Sequence, residues 1–171
     1  MSNYLGLYEN IVPLVAPVDG TTTNPILGEY LDIASANRAA ILVYFGVVTS
    51  STATDTMTLT VEASTASTSN ATEEAIPFNY RVSVAKATGN TWGAVTAATT
   101  TGVALGASTV FDGFAVIIDI DPAAVVAIKP DARYVRVVLT EDNAYSAVNY
   151  SIIGFLDARY KQTTMIVGSV T

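Results

Sequence analysis

The stretch "DTMTLTVEAS", residues 55–64, alternates apolar and polar side chains without a break. Met57, Leu59 and Val61 fall on one side, and Thr56, Thr58, Thr60 and Glu62 on the other. A period of two is the spacing of a strand with one buried and one wet face, and the 3.6-residue turn of a helix cannot use it. The pattern returns in "DARYVRVVLT", residues 131–140. There Val135, Val137 and Leu139 share one face, and Tyr134, Arg136, Val138 and Thr140 share the other. Two further stretches, "RAAILVYFGVVTSS" and "GFAVIIDID", are apolar at both parities, which predicts central strands covered on both sides. Residues 11–17, 26–33, 78–85 and 150–157 read as the remaining strands.

The segments between them are made of turn and loop chemistry. "VDGTTTNP", "TSSTATD", "STASTSNATEE", "ATGNTWG" and "TTTGVALGAST" are rich in Thr, Ser, Gly and Asn. Short strands recurring between such loops predict an all-β chain, an antiparallel β-sandwich of jelly-roll type. One helical turn is expected at "DPAAVVAIKPD". Asp121 caps it, Pro122 occupies its first position and Pro130 blocks its continuation. No linker or charge run divides the 171 residues, so a single domain is expected over residues 1–171. Its ends, residues 1–10 and 161–171, lie outside the strongest strand pattern yet carry apolar residues. They read either as arms that dock on something or as an outermost strand.

Composition removes whole classes of function. The chain has no Cys and no His, which excludes thiol and Ser-His-Asp chemistry and nearly all transition-metal sites. A net charge of −7, with Lys86, Lys129 and Lys161 scattered, argues against a phosphate backbone as partner. The apolar run over residues 39–48 is too short for a membrane helix, and the N-terminal residues lack the form of a secretory signal. A soluble chain with no membrane or nucleic-acid partner is expected. Only 13% of its residues are charged while half are hydrophobic, which suggests that part of its surface is covered by partners.

Each candidate site has a plainer reading beside it. The tetrapeptide Asp-Ala-Arg-Tyr occurs at Asp131 and again at Asp157, and reads as strand-end chemistry rather than as a repeated site. Asp119 and Asp121, with Asp112 nearby, could offer carboxylates to calcium, but they lack the glycine and distal glutamate of an EF-hand loop. Ser83 and Lys86 match a Ser-x-x-Lys motif, which on a strand places them on opposite faces. Glu62, Glu73, Glu74 and Glu141 are read as exposed, with ordinary acidity. The single tryptophan, Trp92, could stack on a sugar or anchor a subunit contact, and the contact is preferred. Neither a catalytic site nor a cofactor is expected.

Together, "LDIASANRAAILVYFGVVTSS", "DTMTLTVEAS", "IIDIDPAAVV" and "RYVRVVLT" resemble the small structural proteins of tailed bacteriophages and prophages, over residues 31–140. The resemblance implies a virion component with a jelly-roll-like fold. Its expected role is that of a capsid decoration, or cement, protein that binds outside the shell and bridges neighbouring copies of the major capsid protein. It brings no catalytic residues. On this reading the chain is a homo-oligomer whose contacts come from Tyr4, Leu5, Leu7 and Tyr8 in one arm and Met165, Ile166 and Val167 in the other, with Trp92 as a loop contact. The second reading is a tail- or fibre-associated module that binds a receptor glycan.

Overall fold

A computed structural model describes residues 10–19, 25–50, 56–68, 73–83, 91–107, 112–142 and 145–159. These form two antiparallel sheets and one short helix. The first sheet, A, contains β1 (Asn10–Asp19), β12 (Tyr145–Ala158), β4 (Ala36–Ser50), β10 (Ala115–Ile120), β7 (Phe78–Val82) and β8 (Thr96–Ala98), in that spatial order. Sheet B runs β2 (Ile26–Leu27), β11 (Tyr134–Glu141), β5 (Thr56–Ser64) and β6 (Glu74–Ile76), with β3 (Leu31–Asp32) also on β11 and β9 (Val103–Ala107) also on β5.

The pairing is that of a long hairpin rolled into a sandwich. The first strand lies beside the last, β2 and β3 lie beside β11, β4 beside β10, and β5 beside β6. Rolling this ribbon then brings β12 against β4 and β11 against β5. This is the jelly-roll topology, and β7 and β8 extend sheet A beyond β10.

Alternation decides what faces inward. Met57, Leu59 and Val61 are fully buried, as are Val135, Val137 and Leu139 on β11, where Val137 faces Val61 and Leu139 faces Leu59 in the β5–β11 ladder. From sheet A come Ile41, Val43 and Phe45 of β4, Val116, Ile118 and Ile120 of β10, and Ile152 and Leu156 of β12. The helix α1 (Pro122–Ile128) lies where the sequence places it. Asp121 accepts a hydrogen bond from the Ala123 N–H at 2.9 Å, Pro122 opens the helix, and Pro122 and Val125 are buried. None of the described helical residues forms a segment long and apolar enough to cross a membrane.

Several expectations change. The strand expected over residues 26–33 is two short pieces: the Gly28 N–H still donates to the Val137 carbonyl at 2.8 Å in the β2 register, and the pairing with β11 shifts by one residue before Leu31. Asn10, expected in an arm, opens β1 and pairs with Leu156. The strand expected over residues 78–85 ends at Val82, and Ser83 makes a single bridge to Trp92. Part of "TTTGVALGAST", expected as loop, is β9. Its alternation is too short to register against the surrounding threonines. Among the described residues, the central strands β4 and β10 are covered on one face only, since no described element forms a third layer over sheet A.

Candidate interaction face

The uncovered side of sheet A is the feature that sequence periodicity misreads. Registers across the sheet place Ile11, Phe155, Ala40, Asp119 and Asn79 in one outward row. The next row holds Pro13, Ile153, Leu42, Ile117 and Arg81. Leu42, Ile117, Ile153 and Phe155 are half-buried, while Ile11, Tyr44 and Val47 are 47%, 41% and 57% exposed. Isolated apolar residues on a surface are ordinary, but a contiguous field of them across neighbouring strands marks a surface that binds.

Both ends of the described chain meet at one margin of this face. Asn10 pairs with Leu156, and the Arg159 N–H donates to the Ser35 carbonyl at 2.8 Å while its Nε donates to the Ala36 carbonyl. Residues 1–9 and 160–171 therefore start from neighbouring points. The expected contacts Tyr4, Leu5, Leu7, Tyr8, Met165, Ile166 and Val167 lie outside the described residues.

Trp92 stands at the opposite margin, beside β7 and β8, and is 43% exposed. It borders a depression of about 380 Å³ with Val95, floored by Ala40 and Ile117 and flanked by Arg38, Asn79, Arg81 and Asp119. A second hollow of about 250 Å³ adjoins it. The two share Asn79 and Asp119, and the second is lined by Phe78, Ala97, Val125 and Ile128. Among the described residues, the side chains of Arg38, Asn79, Arg81 and Asp119 make no ion pair and no hydrogen bond with one another. The sequence pointed to Trp92 and, for another reason, to Asp119. Arg38, Asn79 and Arg81 gave no signal, because cross-strand pairing alone brings them together.

Sheet B presents the opposite character. Arg136, only 7% exposed, donates from Nε and Nη2 to Glu62 Oε2 at 2.9 and 2.8 Å, and its Nη2 lies 3.4 Å from Glu73 Oε1. Its guanidinium also lies 4.9 Å from the centre of the Tyr30 ring, and the Tyr30 hydroxyl donates to Glu73. Burial, and then this bond to Glu73, raise the Tyr30 hydroxyl to a pKa of about 12. The expectation of exposed carboxylates holds for Glu74 and is corrected for the other three: Glu62 and Glu73 are partly buried and paired, and Glu141 is buried at the end of β11. Two carboxylates held by one guanidinium form a clamp between strand and loop.

The two Asp-Ala-Arg-Tyr copies do different work. Asp131 takes a positive φ of 67° in the turn after α1, Arg133 pairs with Asp32 at 2.8 Å, and the Tyr134 ring meets Tyr30 edge-on with centroids 6.3 Å apart. In the second copy Asp157 lies opposite Arg38 in the β12–β4 ladder, and Arg159 ties the chain to Ser35 and Ala36. Asp121 is occupied as the helix cap, and Ser83 Oγ accepts from the Ala115 N–H at 2.9 Å. Comparison with protein-family models, with curated proteins and with solved structures returned no match for this chain.

Proposed function

We propose that this chain is a non-enzymatic structural protein of a phage virion, which binds the outside of the capsid and stabilises it by bridging neighbouring subunits of the major capsid protein. The observation that carries the reading is the common origin of the two ends at the β1 margin of sheet A. Nine residues precede Asn10 and twelve follow Arg159, and they hold the apolar clusters Tyr4, Leu5, Leu7, Tyr8 and Met165, Ile166, Val167. At full extension they span at most about 30 and 40 Å, enough to reach two neighbours from one anchoring point. A rigid sandwich between them keeps its shape under load. Each bound copy adds its interface energy to the assembled shell alone, so many modest contacts stabilise the lattice together.

Quantitative mass spectrometry of purified particles tests this through the copy number relative to the major capsid protein. A one-to-one ratio, or a simple lattice fraction of it, is the expected result. A few copies per particle would place the chain in the tail, and absence from particles would end the virion reading.

A further inference from the structure

We infer that the hollow beside Trp92 is a binding site for a neutral saccharide. A sugar ring presents an apolar array of C–H groups on its faces and hydroxyls around its edge. A site for it therefore combines one exposed aromatic face with planar polar groups that both donate and accept. The hollow has that set. Trp92 supplies the ring, with Val95 beside it. Arg38 and Arg81 donate, Asp119 accepts, and the Asn79 amide does both. Ala40, the small residue in the outward row, leaves the floor low enough to receive a ring.

The charges decide between sugar classes. Two guanidiniums alone would select an acidic sugar, but Asp119 lies among them and Asp157 stands opposite Arg38 in the adjoining ladder. Among the described residues these four charges sum to zero, and Asp121 of the adjoining hollow adds a further carboxylate, so a carboxylated sugar gains no net attraction from them. Among the described residues these side chains also make no ion pair or hydrogen bond with one another. At about 380 Å³ the first hollow is at the small end of the range for small-molecule sites, ~300–1,000 Å³. The adjoining hollow across Asn79 and Asp119 extends it, so a disaccharide should bind more tightly than a single sugar.

The inference is independent of the virion reading and compatible with it. Trp92 lies beside β7 and β8, while Asn10 lies in β1 and Arg159 is tied to the start of β4.

Trp92 is the only tryptophan, so its indole N–H gives one unambiguous resonance in a proton–nitrogen spectrum of the full chain. The probes are methyl glucoside, methyl galactoside, methyl mannoside, N-acetylglucosamine, cellobiose, lactose and maltose, with glucuronate and N-acetylneuraminate as acidic comparators. The expected result is a saturable shift of the Trp92 resonance by at least one neutral sugar, at a Kd on the order of 1 mM, as suits a shallow open site. Affinity, followed for the variants by saturation transfer to the sugar, should fall about tenfold or more in Trp92→Ala and in Asp119→Ala, and recover in part in Trp92→Phe. Thermal melting confirms that these surface variants stay folded. No response to any neutral sugar overturns the inference, as does a response to the acidic sugars alone. Binding that survives both alanine variants places the sugar elsewhere and overturns it too.

Discussion

Tyr30 shows how much a single residue can report about this fold. Its ring lies under Arg136, its edge meets Tyr134, and its hydroxyl donates to Glu73. Because burial first and the Glu73 bond second raise its pKa to about 12, the folded state holds the Tyr30 proton that the unfolded chain releases near pH 10. The linked stability is fully present below pH 10 and is lost as the pH rises towards 12. Urea unfolding at intervals from pH 8 to about pH 11.5 should show this decline, and Tyr30→Phe should flatten it relative to wild type. Nine tyrosines titrate in the chain, so the difference between the two proteins is the quantity to read. Equal slopes would mean that Tyr30 keeps its ordinary acidity in the folded state. Nothing in the sequence around Tyr30 foretells this, since Glu73 and Arg136 arrive from distant parts of the chain.

At the scale of elements, the turn joining β8 to β9 shows where a local conformation serves a distant strand. Gly102 adopts φ +80°, and its N–H donates to the Thr99 carbonyl at 3.0 Å. A Cβ there would press into the Leu59 carbonyl and lie 2.6 Å from the Thr60 methyl of β5. Both the left-handed backbone and the close approach require glycine. Gly102→Ala should therefore cost about 2–3 kcal/mol, read from urea midpoints. A change below about 0.5 kcal/mol would show that β9 is not held against β5 in this way. The helix is the contrasting case. Asp121, Pro122 and Pro130 carry its limits locally, so it could be read directly from the chain, whereas β6, β8 and β9 depend on partners for their definition.

For the whole molecule, the consequence is a division between body and ends. The described core is closed by β1 pairing with β12, and that described ladder runs from Asn10 of β1 to Leu156 of β12 at one end. If the proposed capsid role holds, a chain of residues 10–159 should keep its melting temperature within about 3 °C of the full chain, while its affinity for the capsid falls at least ~tenfold. A large loss of melting temperature would make the ends part of the sandwich. Unchanged capsid binding would move the contact to the open face of sheet A.

The all-β class, the inward faces of β5 and β11, the capped helix and the lack of Cys and His are all legible in the chain alone. Each of these follows from local periodicity, a local cap or simple composition. That the apolar strands β4 and β10 have one face left open by the described residues comes from the packing, because period-two patterning tells which residues share a side and never what lies over it. Likewise only the rolled topology gathers Arg38, Asn79, Arg81, Trp92 and Asp119 around one hollow, and Tyr30, Glu62, Glu73 and Arg136 into one clamp. Cross-strand neighbours are set by register between segments tens of residues apart, and that information is absent from any single stretch of the chain.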